Sequence, residues 1–359
     1  MRYSRPDTVA VAMSGGVDSS VAAAMLLERG VPVIGLNLRL RRCDPSRSGC
    51  GAEGEQRARA TAAALGIPLH VVDAASAFEA EVLKVAWDEY ARGRTPSPCL
   101  LCNERLKFGL LLRRARELGA TRLATGHYAR VEHAAGRVDL LRASERARDQ
   151  SYFLARLSQE QLMAAVFPLG ALTKAEVRAR ATALALPAAE ARDSQDACLV
   201  KDGETFAECL RELFGVRVPG GDMVDRSGRV LGRHDGIHRF TIGQRHRLPR
   251  AATHRRCWVV DIRPEPPQVV LSENESDLLS CHFSVRKAVW QPGVPEECQC
   301  HVQVRSRQDP APCRLVRNGD EARVELDAPL RAVTAGQAAV FYERERVLGS
   351  GWIDRVVRG

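Results

Sequence analysis

The sequence predicts an α/β protein in three parts: a doubly wound parallel-sheet domain at 1–204, a small linking domain at 205–273 and a C-terminal β-barrel at 274–359. Three observations carry this. Apolar, β-branched runs alternate with helical stretches through the first part, a glycine- and serine-rich turn joins the first strand to the first helix, and from about residue 205 short strands are separated by Gly, Pro and Asp clusters. At 359 residues the chain is also too long for one compact core.

Taken in order, "TVAVAM" (8–13) and "VPVIGLNL" (31–38) are short apolar runs of the buried parallel-strand type. Between them "SSVAAAMLLERG" reads as a helix closed by Gly30. Helix 54–65, strand 68–73, helices near 77–91 and 103–118, and strand 121–125 continue the pattern. Beyond 205, "CWVVDI", "PQVVLS", "FSVRKAVW", "CHVQVRS", "ARVELD" and "AAVFYERERVLGSGWI" have the length and spacing of barrel strands.

The first turn, Ser14-Gly15-Gly16-Val17-Asp18-Ser19-Ser20, lies where strand passes into helix. Two glycines let the backbone approach an anion, the helix start offers unsatisfied N–H groups, and the serines add hydroxyl donors. A tight turn with an N-cap serine would explain Gly and Ser but not the whole string. No Gly-Lys-Ser/Thr follows, so this is not a Walker loop.

The net charge of +9 points to a polyanionic partner, although an arginine-rich solvated face would give the same number. No uncharged apolar run reaches membrane-spanning length, and the N-terminus lacks the zones of a signal peptide. A cytoplasmic protein with no membrane partner is therefore expected. There, 11 cysteines are better explained by chemistry, metal ligation or core filling than by a disulfide framework.

S-G-G-x-D-S resembles the loop of the PP-loop ATP pyrophosphatases, which cleave ATP between the α and β phosphates to adenylylate a carbonyl or amide oxygen. Further stretches resemble one family within that group, the bacterial tRNA-specific 2-thiouridylases. They are "GRTPSPCLLCNERLKF" (93–108), "ATGHYAR" (124–130), "RDQSYFL" (148–154), "FPLG" (167–170), "RDSQDAC" (192–198), "GIHRFTIGQR" (236–245) and "AVTAGQAAVFY" (332–342). Their order and spacing together are specific and span nearly the whole chain. The resemblance implies ATP- and Mg2+-dependent thiolation of C2 of the wobble uridine in Lys, Glu and Gln tRNAs, with sulfur arriving as a persulfide from a cysteine desulfurase relay.

By the same resemblance Ala12, Met13, Ser14, Gly15, Gly16, Val17, Asp18, Ser19 and Gly126 hold ATP, with Leu38 replacing a family methionine beside the adenine. Cys102 is the first catalytic thiol and Cys198 the persulfide carrier. Ser97, Pro98 and Cys99 approach the flipped base. Arg148, Asp149 and Gln150 match a tRNA-contacting Lys-Asp-Gln segment, and Arg305 and Ser306 match an Arg-Tyr pair in the barrel.

Cys99 stands where the family usually has aspartate, so "CLLC" admits several readings. A structural zinc site wants a second knuckle, and Cys298-Gln299-Cys300 is too closely spaced to supply one. A redox pair of Cys99 and Cys102 lacks a thioredoxin-like context. Direct sulfur transfer needs one thiol here and one distant thiol, Cys198. A 4Fe–4S cluster held by Cys99, Cys102 and Cys198 would leave one iron open for sulfur. Cys43 and Cys50, flanking "DPSRSG", read as loop thiols. His127 either polarises a phosphate or caps the sheet edge. His234, His238 and His246, with Arg233, Arg239 and Arg245, read as an RNA-facing basic surface. Rival functions are another adenylating enzyme of the same loop class, which needs no paired thiols, and a non-catalytic tRNA or sulfur carrier, which needs no intact loop.

Overall fold

The computed structural model describes residues 7–41, 52–134, 136–191, 204–246, 248 and 256–358. Cys43, Cys50 and Cys198 lie outside them, as does the "RDSQDAC" segment. The chain forms two compact units: Met1–Glu81 with Cys99–Gln195 and Glu345–Val347, and Val82–Pro98 with Asp196–Arg344 and Leu348–Gly359. Linking region and barrel, Glu345–Val347 apart, fall together in the second unit, which also takes Val82–Pro98 from the first predicted part.

In the first unit, β1 (Val9–Ala12), β2 (Val33–Arg39), β3 (Leu69–Asp73), β4 (Arg122–Ala124) and β7 (Ala165–Val166) form a sheet of order β3-β2-β1-β4-β7. Every pairing is parallel. Such sheets are covered on both faces, and β1 accordingly buries Val9, Ala10 and Val11. Helix α1 (Val17–Glu28) buries Val17 and an unbroken run from Ser19 to Leu26, which its alanine-rich sequence permits by keeping the helix thin. It ends at Arg29, and Gly30 follows at φ +71. The Gly30 N–H donates to the Leu27 carbonyl at 2.8 Å and the Val31 N–H to the Leu26 carbonyl at 3.1 Å, a Schellman closure. Chain order reverses at β1, with β2 on one side and β4 on the other. The crevice at the carboxyl ends of these strands is where open α/β sheets bind ligands. The same unit holds an antiparallel hairpin, β5 (Ala129–Ala134) and β6 (Arg137–Arg142).

In the second unit, β8 (Gly221–Asp225), β9 (Val230–His234), β10 (Trp258–Arg263) and β11 (Gln268–Ser272) make a sheet of order β10-β11-β8-β9. The strands β12 (Leu279–Trp290), β13 (Glu297–Gln303), β14 (Ala311–Asn318), β15 (Glu321–Arg331), β16 (Ala338–Glu343) and β17 (Arg346–Val357) run in the order β12-β15-β14-β13-β16-β17. Pairing of β17 back onto β12 closes them into a six-stranded barrel. Alternation along β14 and β15 sends Cys313, Leu315, Val324 and Leu326 inward with Phe341 and Ile353. Cys300 and Cys313 face each other there with sulfurs 3.6 Å apart, so these two thiols fill the core as expected.

The histidines depart from expectation. His234 and His238 are 6% and 2% exposed, while Arg233, Arg239, Arg245 and His246 face solvent. The turn Ile237–Arg239 sends Ile237 and His238 into the core, where the His238 ring meets the edge of Trp87 at 5.7 Å. Only the arginines and His246 can form a basic surface. Neither ring nitrogen of His238 has a hydrogen-bond partner among the described residues. Burial, with Arg239 and Arg211 adding to it against Glu208, pushes His238 down to about 4.

The neutral form is therefore the one that folds, and its stability is present above the ordinary histidine range and lost as pH falls from about 6.5 toward 4. The effect reaches roughly 3 kcal/mol. Denaturant midpoints measured from pH 7.5 to 4.5 should fall accordingly, with a slope reduced by up to about one proton in His238→Phe. An unchanged slope in that variant contradicts the assignment.

Candidate active site at the phosphate loop

Beyond β1, buried Met13 leads into the turn Ser14–Gly16, where its carbonyl accepts the amide of buried Asn37 at 2.8 Å. Gly15 lies at φ +80, and a Cβ there would stand 2.0 Å from the Gly54 carbonyl oxygen. No side chain fits. Gly16 caps α1 in an extended conformation without a side-chain cap, so no cap side chain takes up the first turn's N–H groups. The serine hydroxyls close on the turn: Ser19 Oγ donates to the Gly16 carbonyl at 3.1 Å, accepts from the Ser14 N–H at 3.2 Å and lies 3.3 Å from Ser14 Oγ. Arg57, on the helix α2 (Ala52–Ala64), donates to the Gly15 carbonyl at 3.1 Å.

The end of β4 packs directly on this loop. A Cβ on Gly126 would lie 2.8 Å from the Asp18 carbonyl carbon and the Ser19 nitrogen, so glycine is required for the contact. Leu38 sits half-buried near the end of β2. Asp18, in the first turn of α1, accepts both oxygens' worth of bonds from Lys174 Nζ, at 2.7 and 2.9 Å, and one from the Tyr128 hydroxyl at 2.9 Å. Lys174 is 6% exposed and opens the helix Lys174–Ala183, whose Thr173–Glu176 capping box fixes its start. Burial, then the Asp18 charge, hold the Tyr128 phenol far above its usual range, so it stays a donor.

His127 follows Gly126. Its Nδ1 lies 2.8 Å from Thr125 Oγ1 and its Nε2 3.5 Å from Lys107 Nζ. Burial, then the Lys107 charge, push the imidazole well below its ordinary value. Lys107 belongs to the helical run that begins at Pro98–Leu101 and becomes π-helical over Cys102–Leu111. Cys99 is exposed on its first turn and Cys102 half-buried at the start of the π-helical part. Ser97 and Pro98 belong to the second unit, Cys99 and Cys102 to the first.

Asp149 and Gln150 are used within the fold. Asp149 accepts from Arg142 Nε at 2.7 Å, from the Ala143 and Ser151 N–H groups at 3.0 and 3.1 Å, and from Ser151 Oγ at 3.0 Å. Gln150 and Tyr128 exchange two bonds at 2.8 and 2.9 Å. These contacts present Arg148, which is exposed. In the second unit Arg305 Nη2 donates to the Ala332 carbonyl at 2.5 Å, and the Ser306 carbonyl accepts from Gln303 at 3.1 Å.

No three His, Cys, Asp or Glu side chains gather to hold a metal among the described residues. Magnesium, however, is normally held by one or two carboxylates plus substrate phosphates, and Asp18 supplies one carboxylate beside the loop. That donor set fits an ion delivered with a nucleotide. A thiolate-held cluster would use Cys99 and Cys102, whose three-residue spacing sets both on one side of a helical turn; the third thiol, Cys198, lies outside the described residues.

Sequence reasoning missed Lys174, Tyr128, Arg57 and Lys107. The T-x-x-E pattern at Thr173–Glu176 is a sequence sign of a helix start at Lys174, but nothing local ties it to Asp18.

A parallel sheet with a Ser-Gly-Gly phosphate loop at its switch point defines a nucleotide-binding protein of the PP-loop class. Residues 7–202 match the family described as tRNA methyl transferase HUP domain, 208–273 its PRC-barrel domain, and 280–353 the aminomethyltransferase β-barrel domain. The chain is 44% identical to the tRNA-specific 2-thiouridylase MnmA of Solibacter usitatus, covering 96% of this chain and 99% of that one. It is 43% identical to the protein of the same name from Geobacter metallireducens, covering 96% of each. The chain belongs to the tRNA-specific 2-thiouridylase family. Among the described residues no helix is long and apolar enough to cross a membrane.

Proposed function

We propose that this chain is a tRNA-uridine 2-sulfurtransferase that adenylylates C2–O of the wobble uridine and replaces that oxygen with sulfur. The observation that carries the reading is the phosphate loop, where Gly15 and Gly126 admit no side chain because the turn closes on Gly54 and the end of β4 closes on Asp18 and Ser19, in a chain whose full-length relatives bear this activity's name. Ala12 to Ser19, Gly126 and Leu38 hold ATP, and Mg2+ accompanies its phosphates beside Asp18.

Uridine oxygen attacks the α-phosphate and pyrophosphate leaves. The terminal sulfur of a Cys198 persulfide attacks C2 and AMP leaves. The Cys102 thiolate then attacks the Cys198 sulfur; the S–S bond to the base-bound sulfur breaks, its electron pair stays on that sulfur, and a Cys102–Cys198 disulfide remains for an external thiol to reduce. The sulfur donor is a persulfide protein fed by a cysteine desulfurase, and the substrates are Lys, Glu and Gln tRNAs. Residues 1–204, 205–273 and 274–359 act as catalytic, linking and barrel domains, in the cytoplasm. Ser97, Pro98 and Cys99 meet the unstacked base. Arg148, held by Asp149 and Gln150, and Arg305, beside Ser306, meet backbone phosphates.

A second reading, with a cluster on Cys99, Cys102 and Cys198 as the sulfur site, is favoured by one observation: Cys99 adds a soft ligand three residues before Cys102.

Incubation with ATP, tRNA and persulfide should give 2-thiouridine, AMP and pyrophosphate in equal amounts. RNA affinity should fall steeply with salt, and Arg148→Ala should lower the log–log slope by about 0.9 or somewhat less. Thiolation without pyrophosphate, or salt-independent affinity, overturns the reading.

A further inference from the structure

Among the described residues, no carboxylate meets the charge of Lys107. It is half-buried and forms no ion pair among the described residues, in contrast to Lys174, whose charge Asp18 meets. Its recorded polar partner is His127 Nε2 at 3.5 Å. An ammonium only donates, so Nε2 accepts, and Nδ1 must carry the proton that faces Thr125 Oγ1 at 2.8 Å. His127 is thus a neutral strut that locates a cation without cancelling it.

Its location points to a ligand. His127 directly follows Gly126, which touches the backbone of Asp18 and Ser19. The π-helical register of Cys102–Leu111 adds a second relation. Hydrogen bonds from i to i+5 set residues five apart one above the other, whereas an α-helix would turn them roughly 140° apart. Lys107 therefore stands one turn above Cys102, on the same face.

We propose that Lys107 is a further catalytic residue, whose ammonium binds the α-phosphate of the nucleotide and of the adenylylated base, on the side where Cys102 acts. The inference rests on the nucleotide reading above and specifies how it works. A half-buried cation that no described carboxylate meets, held by the residue next to Gly126, strengthens its contact with an anion that gains charge during transfer.

The test compares AMP with adenosine, because only AMP carries the phosphate. By titration calorimetry on the full chain, Lys107→Met should weaken AMP binding about 10-fold or more and leave adenosine unchanged, while Lys107→Arg stays within about 3-fold of wild type for AMP. Adenosine binding also reports that the variant is folded. Equal losses for both ligands would mean a structural role and overturn the proposal, as would no loss. Weakened tRNA binding with unchanged AMP binding would reassign Lys107 to an RNA backbone phosphate and overturn it too. Wild-type protein that binds neither nucleotide would instead overturn the ATP reading on which the proposal stands.

Discussion

Cys102→Ser should lose 2-thiouridine formation by roughly 10³-fold or more while keeping a burst of tRNA-dependent pyrophosphate. A serine hydroxyl is not ionised at neutral pH and cannot release sulfur from a disulfide-type bond, but adenylylation precedes the thiol's task. Cys198→Ser should behave alike. Cys99→Asp separates the two sulfur readings. If sulfur passes between thiols, this change keeps substantial thiolation in iron-free protein; if a cluster is the sulfur site, thiolation tracks bound iron and metal-free wild type is inert. The measurement is nucleoside chromatography of the tRNA beside a pyrophosphate assay and iron analysis. Full thiolation by Cys198→Ser would end both accounts.

The second large effect is expected at Asp18. Asp18→Ala removes the carboxylate that lies in the first turn of α1 and leaves Lys174, 6% exposed, without the partner that accepts its two bonds. Removing one member of a buried pair costs 3–5 kcal/mol, and Asp18's partial exposure lowers this to about 2 kcal/mol. Pyrophosphate release should fall by about 10²-fold or more, because the carboxylate that would hold the nucleotide's magnesium is gone. The double variant Asp18→Ala/Lys174→Met discriminates the two effects: denaturation should recover toward wild type as the buried ammonium disappears, while pyrophosphate release stays low. Recovery of both together would mean that the pair only holds the fold.

How much of this could be read from residues alone differs by scale. Parallel strands, α1 and the loop were legible because apolar runs and turn glycines act locally: Gly15 takes φ +80 within its turn, whereas Gly126 was legible only within a motif, since its contact with Asp18 and Ser19 is made across the sheet. The hairpin β5–β6 went unread, although "ARVEHAAGRVDLLR" has a glycine between alternating runs. Lys174 and Asp18 meet only through the sheet's topology. The inward turn of His238 was hidden because a histidine between arginines looks basic, and only burial against Trp87 decides otherwise. Asp149 was legible as part of a motif, but its bonds to Arg142, Ala143 and Ser151 required the structure. The π-helical stretch carries no sequence sign at all, since the same residues suit an α-helix.

The first unit is not continuous along the chain. It is left after Glu81, re-entered at Cys99, and receives Glu345–Val347 from far downstream. That late piece is bound firmly: Glu345 pairs with Arg130 and Arg146, its carbonyl accepts the Arg142 N–H at 2.9 Å, and Arg346 Nε reaches Asp139 at 2.9 Å. The hairpin β5–β6 pairs within itself, and these contacts are added to it by one of the last stretches of the polypeptide to be made. A fragment cut at residue 204 lacks them, and its Trp87 and Tyr90 are stripped of His238 and Phe206, the rings they pack against.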